Sequence, residues 1–198
     1  MRSLVYYVGA SLDGYIAAPD GSPDAFPMEP DVLEYIATEH PDTVPTHMRE
    51  RAGIHGPPRH FDTVIMGRRT YEPALAAGIT SPYSHLQQIV VSTTMKTTDS
   101  TVRVVSDPSA VVDELKAGSG RDIWLAGGGR LAGSVLAHVD RIVIKTYPVV
   151  FGDGIPIVSG TYAPMSLTLA EVRHFDSGAV VTTYERRQPD APDRDAVP

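Results

Sequence analysis

The chain contains no cysteine, which excludes a disulfide framework, a Cys-based zinc or iron-sulfur site and a cysteine nucleophile. Redox chemistry would need a borrowed cofactor. There is no basic excess either: Lys plus Arg is 17 against 24 Asp plus Glu, a net charge of −7. That sign opposes a sequence-independent grip on nucleic acid or anionic lipid. No run reaches the roughly eighteen apolar residues that a membrane-spanning helix requires. The short apolar start Leu4 to Val8 is followed by Asp13 and Asp20, not by a small-residue cleavage site, so it reads as a first strand. The expected setting is the cytoplasm, and the expected partner is a small molecule, with neither nucleic acid nor membrane. With 198 residues, 42% of them hydrophobic, the chain can build one sizeable core unaided.

Seventeen prolines and 17 glycines punctuate the sequence. Between them lie short β-branched runs at Thr63 to Met66, Gln88 to Ser92, Val102 to Val105 and Ile123 to Ala126, patterned as buried strands. Stretches of helical period separate them: Pro30 to Glu39, Arg69 to Ala76, Pro108 to Lys116 and Arg130 to Val139. Each is long enough to cross between parallel strands, so the core is α/β. The third helix has Ser106 or Asp107 as a cap, Pro108 in its first turn and Gly118 just past its end, the expected start and stop chemistry. After about residue 140 the runs Arg141 to Tyr147, Leu167 to Phe175 and Val180 to Arg186 are strand-like with no long helix between them, so the sheet should turn antiparallel. Ser177-Gly178 marks a hairpin and Gly152-Asp153-Gly154 a tight loop. One domain over 1–187 is expected, with a disordered tail at 188–198.

The segment Pro41 to Arg59 carries four prolines, with His40, His47, His55 and His60 in or beside it. Their spacing fits no helix face and no carboxylate accompanies them in a ligating pattern, so a structural reading is preferred to a metal one.

Three constellations stand at predicted strand ends, where α/β sheets place their ligands. The first, Met66-Gly67-Arg68-Arg69-Thr70-Tyr71-Glu72, runs from a strand through glycine into a helix. Free amides, a positive dipole end, two guanidinium groups and a hydroxyl suit a phosphate. The structural alternative is a turn at Gly67 and an exposed Arg69–Glu72 pair. The second, Ala126-Gly127-Gly128-Gly129-Arg130-Leu131, lets a ligand approach backbone that any Cβ would block. Neither is a P-loop or a Rossmann fingerprint, and two such sites in one sheet imply a ligand with more than one phosphate. The third, Ser92-Thr93-Thr94-Met95-Lys96, ends a strand in hydroxyls and a cation, which suits a 2′-phosphate better than a free ribose hydroxyl and so favours NADPH over NADH.

Together with Ser11-Leu12-Asp13-Gly14-Tyr15-Ile16-Ala17 and Pro148-Val149-Val150-Phe151-Gly152-Asp153-Gly154-Ile155-Pro156, these motifs make the chain resemble the dihydrofolate reductase-like fold. It resembles most closely the bacterial branch that includes the reductase half of the riboflavin-pathway deaminase-reductase. The resemblance covers nearly the whole chain. It implies a mostly parallel central sheet flanked by helices, antiparallel C-terminal strands and hydride transfer from NADPH to a small planar heterocyclic or conjugated substrate. By the same resemblance Gly67, Arg68, Arg69 and Thr70 bind the 2′-phosphate and pyrophosphate, with Ser92 and Thr93 beside the adenosine phosphate. Gly127, Gly128, Gly129, Arg130 and Leu131 form a second wall whose glycine pair is often joined by a cis peptide. Gly9, Ile16 and Ala17 border the nicotinamide.

The sequence departs from the riboflavin-pathway pattern at Tyr15, where that branch carries a basic residue, and no deaminase half is present. Asp13, Asp31 and Tyr15 are the candidates to supply a proton, with an exposed acidic helix face as the alternative for Asp31 and Glu34. A protein of the same fold that binds NADPH without efficient turnover is the competing reading. Members of this branch often form homodimers. Apolar residues on both faces at Ile142, Val143, Ile144, Val180 and Val181 place the expected contact near Val180 or its strand neighbours, since a last hairpin often lies at a sheet edge.

Overall fold

The computed structural model describes residues 1–97 and 99–187; the tail expected at 188–198 lies outside the described residues. In chain order the elements are β1 (Leu4–Ala10), β2 (Tyr15–Ala17), α1 (Pro30–Glu39), a 3-10 turn (Pro41–Thr43), α2 (Thr46–Arg49), β3 (Phe61–Gly67), α3 (Arg68–Ala76), β4 (Gln87–Val91), β5 (Val102–Val105), α4 (Pro108–Ala117) and β6 (Asp122–Gly127). Then follow α5 (Gly129–Ser134), a second 3-10 turn (Leu136–His138), β7 (Arg141–Thr146), β8 (Ile155–Pro156), β9 (Leu167–His174) and β10 (Val180–Arg186). Eight strands form one sheet in the order β5-β4-β3-β6-β1-β7-β10-β9, and β2 pairs with β8 beside it. From β5 to β7 the neighbours are parallel; β10 runs antiparallel to both β7 and β9. This is the mixed α/β fold of the resemblance.

Strand β1 reads as continuous apolar sequence because helices cover both faces of the sheet. Leu4, Tyr6 and Val8 face one layer, with Ile65, Ile123 and Leu125, against Val112 of α4 and Leu131 of α5. Val5 and Tyr7 face the other, with Val64, Met66 and Trp124, against Tyr35 of α1 and Tyr71 of α3. Helix α4 starts where Asp107 accepts hydrogen bonds from the amides of Ser109 and Ala110, and stops at Gly118. These caps are the ones the sequence indicates.

Two expectations need correction. The run Arg130 to Val139 is helical only to Ser134, then tightens into the 3-10 turn. Gly133 is required by the backbone of Ser159 pressed against it, and the Ser134 hydroxyl donates to the Leu131 carbonyl at 2.8 Å; both weaken an α-helix. The last strand, β10, is internal: β9 is the edge. The hairpin folds outward, so Val181 is buried in the core while Leu169 and Val172 of β9 stand 51% and 42% exposed.

The proline-rich segment is organised by Asp42, a residue the sequence did not single out. Its fully buried carboxylate accepts backbone N–H bonds from Arg59, His60 and Phe61 at 2.6–3.0 Å, fixing the entry into β3. His47, His55 and His60 are exposed and His40 is half-buried. Among the described residues no group of three or more His, Asp or Glu is arranged to hold a metal, and no helix is long and apolar enough to cross a membrane.

Candidate functional site

Two glycine turns meet at the carboxyl ends of neighbouring strands. Met66 of β3 lies in register with Gly127 of β6, and a Cβ placed on Gly67 would be 3.6 Å from the Gly127 oxygen and 3.7 Å from the Gly128 nitrogen. Gly127 has φ 100° and its peptide bond to Gly128 is cis. A Cβ on Gly128 would meet only Ile16 Cδ1 at 3.8 Å and Thr70 Oγ1 at 3.9 Å. Ile16, Thr70 and the glycine pair therefore line one opening.

Helix α3 begins directly at this opening with Gly67 as its N-cap and no side chain on its first amides. Those amides and the helix dipole are free for an anion. Arg68, Arg69 and Thr70 are exposed there. Arg68 Nε lies 3.4 Å from Glu72, so the i, i+4 pair forms in place of the Arg69–Glu72 pair considered from sequence. Among the described residues Arg69 and Arg130 have no ion-pair partner, and Arg130 is exposed on the facing turn.

The remaining cofactor candidates divide by what they touch. Gly129 is held by packing: a Cβ there would collide with the carbonyl of Pro156. The Leu131 side chain is in the core, so only its backbone faces the turn. Ser92 Oγ accepts from the amides of Met95 at 2.9 Å and Thr94 at 3.2 Å, shaping the turn after β4, while Thr93 is exposed. Gly9 stands near the end of β1, where a Cβ would be 3.0 Å from Tyr147 Cε2 and 3.9 Å from Lys145 Cε. Ala17 is buried beside Ile16.

On the other side of Gly9, the two carboxylates named from sequence are engaged by backbone. Asp13 accepts from the Ser11 hydroxyl at 2.6 Å and from the amides of Phe151 at 3.0 Å and Gly152 at 2.7 Å. The Ser11 hydroxyl first, then those amides, hold it down to about 2. Asp31 accepts from the amides of Ser177 at 3.0 Å and Val32 at 2.7 Å, and the Ser177 amide is the leading cause that lowers it. Each carboxylate joins two chain segments. Tyr15 is half-buried in β2, its amide donating to Ser11 Oγ at 2.9 Å. Phe26 packs on Tyr147 and Phe151, with centroids 5.1 and 4.9 Å apart, forming an aromatic wall.

The sequence reading missed Lys145 and Tyr7, which cluster with His40 under α1. The one available signal was a lysine interrupting the apolar run Ile142-Val143-Ile144.

The model of the RibD C-terminal domain matches residues 2–181. The chain belongs to the RibD C-terminal domain family. Two similar proteins of Bacillus subtilis (strain 168), YwjB and YyaP, are both named as uncharacterized. YwjB is 30% identical over 189 residues, covering 93% of this chain and 98% of its own. YyaP is 24% identical over 197 residues, covering 92% and 94%. Among solved structures, a protein of Shewanella sp. PV-4 assigned by name to riboflavin biosynthesis superposes with a TM-score of 0.69 at 25% identity, covering 95% of this chain and all of the other. The paired glycine turns and the Asp13 loop thus sit within the residues that match the RibD C-terminal domain.

Proposed function

We propose that this RibD C-terminal domain protein is an NADPH-dependent reductase acting on a small planar heterocyclic or conjugated substrate. The observation that carries the reading is the meeting of the Gly67 turn with the Gly127–Gly128 turn beside the uncapped start of α3. It is an open cradle with backbone donors, ringed by Arg68, Arg69 and Arg130. It fits a pyrophosphate, because the Cβ positions of Gly67 and Gly128 meet ordinary contacts and the space above them is left for a ligand. NADPH supplies the hydride when bound. Arg69 and Thr70 hold phosphate, Ile16 and Gly9 border the ring, and the Phe26, Tyr147 and Phe151 wall keeps water from the acceptor. Tyr15 in place of the basic residue directs the site away from a phosphorylated ribosylaminopyrimidine.

Asp13 and Asp31 favour a second reading. Both carboxylates are committed to backbone amides, which leaves neither poised to give a proton, as in a protein that binds NADPH without turnover. One experiment separates the two: NADPH and NADH titrations followed by Trp124 fluorescence, then NADPH absorbance with a panel of pterins, pyrimidines, quinones and nitroaromatics. NADPH binding that exceeds NADH binding, with consumption in the presence of one acceptor class, supports the reductase. Binding without consumption supports the second reading, and equal affinity for the two cofactors removes the assignment.

A further inference from the structure

The segments Ser11 to Glu29 and Tyr147 to Ile157 are joined into one rim at the carboxyl ends of β1 and β7. The Leu12 amide donates to the Val149 carbonyl at 2.8 Å, and the Ile157 amide donates to the Gly14 carbonyl at 2.9 Å. Asp13 takes the amides of Phe151 and Gly152, and β2 pairs with β8. This rim adjoins the glycine cradle through Ile16, whose Cδ1 lies 3.9 Å from a Cβ placed on Gly127 and 3.8 Å from one placed on Gly128. At the end of β1 the Tyr147 ring takes the space of a Gly9 side chain, and Phe26 and Phe151 continue that aromatic surface outward.

The rim is apolar where it meets solvent. Leu12, Met28 and Val150 stand 69%, 66% and 64% exposed, beside the partly exposed Phe26 and Phe151. Single exposed apolar side chains are ordinary, but these are grouped around one clasp that reaches the cradle, as in a ligand groove. The charge of the rim is of one sign. Its two segments hold Asp13, Asp20, Asp24, Glu29 and Asp153 and no Lys, Arg or His. The Ser11 hydroxyl and the two amides keep Asp13 ionised. Cations of the neighbouring strands do not offset this. Lys145 is 8% exposed, with its ammonium 3.6 Å from the centroid of the Tyr7 ring, and Arg173 is stacked over Tyr35 at 4.9 Å and lies 4.0 Å from Glu39. The exposed cations Arg68, Arg69 and Arg130 stand at the cradle instead.

Resting on the NADPH reading, we infer that the substrate is an aromatic or conjugated molecule without phosphate, sulfonate or carboxylate, whose apolar flank lies against Leu12, Val150 and the Phe26 and Phe151 rings. An anionic group on the acceptor gives up water at this rim, finds no cation to pair with and is repelled by the carboxylates. An apolar flank gains by taking Leu12 and Val150 out of water, and a cationic substituent meets charges of opposite sign. The two ends of the site thus select different ligands. The arginine end takes the phosphates of the dinucleotide, and the carboxylate end admits an acceptor that does not compete for them.

The test uses the whole protein saturated with NADP+ and acceptors matched except for one group: naphthoquinone against naphthoquinone sulfonate, and hydroxymethylpterin against pterin carboxylate. Titration calorimetry measures each affinity. The uncharged member of a pair should bind at least about tenfold more tightly than the anionic one, and the gap should narrow at about 1 M salt, where exposed charges are screened. Leu12→Lys places a cation on the exposed rim and should narrow the gap about threefold or more. Equal affinities within the pairs, preference for the anionic members, a gap unchanged in Leu12→Lys or binding of no member at all overturns the inference alone. An unchanged gap together with a lowered mass in light scattering of Leu12→Lys assigns the apolar rim to contact between two copies and overturns it as well. Failure of both NADPH and NADP+ to change Trp124 fluorescence overturns the NADPH reading, and this inference with it.

Discussion

Gly128 and Gly129 are consecutive in the chain, yet a Cβ on Gly128 would find ordinary contacts with Ile16 and Thr70, whereas a Cβ on Gly129 would collide with the carbonyl of Pro156. A side chain has room at Gly128 and none at Gly129, so only the second glycine is required by packing, and on the NADPH reading the first keeps space for the ligand. Gly128→Ala should therefore leave the melting temperature close to wild type and weaken NADPH binding at least about tenfold, the effect of roughly 1.4 kcal/mol. Gly129→Ala should cost about 1–3 kcal/mol of stability, the usual effect of overpacking. Thermal unfolding beside Trp124 fluorescence titration checks both, and retained binding in Gly128→Ala would make its turn merely structural.

The two arginines at the start of α3 are unequal. Arg68 shares its guanidinium with Glu72 at 3.4 Å, while Arg69 has no such partner among the described residues. Charged hydrogen bonds to phosphate are worth about 1.5–3 kcal/mol each, so Arg69→Ala should lower the preference for NADPH over NADH about tenfold or more. Arg68→Ala should lower it less, and the double variant should nearly erase it. Competitive titration with the two cofactors measures the ratio.

What the sequence made legible follows from which forces are local. The strand-glycine-helix junctions at Gly67 and Gly127 and the Asp107 to Gly118 limits of α4 depend on neighbours in the chain, and each is found in place. Asp42 could not be read this way, because the three amides it holds lie some 17–19 positions further along the chain. Nor could Lys145: a lysine in an apolar strand reads equally as an edge position until the register against Gly9 and Val181 is known. Asp13 reads from the sequence as a candidate proton donor, but the Phe151 and Gly152 amides that occupy it lie 138 and 139 positions further along the chain.

Asp42 organises backbone far from the glycine cradle, so its loss should separate stability from binding. Asp42→Ala leaves the buried amide of Phe61 and the partly buried amides of Arg59 and His60 without this acceptor, at a cost of about 2–4 kcal/mol given the charged bonds lost. Urea unfolding should show that loss, while NADPH affinity of the folded fraction stays within about twofold.

Burial of the Lys145 ammonium also sets a pH dependence of stability. Its folded value is about 7 against 10.5 for the unfolded chain. Below pH 7 both states carry the charge and only the folded state denies it water, so Lys145→Met should be the more stable protein. Between about pH 7 and 10.5 the folded amine is neutral while the unfolded chain still binds the proton, so wild type gains stability as pH rises. The difference between the two proteins should narrow across that window in chemical denaturation, and a difference independent of pH would mean that the ammonium is not buried in solution.

The edge strand directs the expectation of a homodimer to a new place. In register, Leu169 of β9 faces Tyr184 of β10 and Ile142 of β7, and Val172 faces Thr182 and Ile144. These residues share the face opposite α1, where Leu169 and Val172 are exposed. Exposed apolar residues on an edge strand invite pairing or packing against a second copy. The opposite face of β9 is already engaged, since Arg173 covers Tyr35. If a dimer forms, the Leu169–Val172 face is the place to test first, since Val180 sits on the internal strand next to this edge. Light scattering at micromolar protein should give a mass near twice 21.3 kDa, and the double variant Leu169→Glu, Val172→Glu should halve it without loss of NADPH binding or of the cooperative unfolding transition. A wild-type mass near 21.3 kDa would remove the dimer, and a dimer unaffected by the double variant would move its interface off this face.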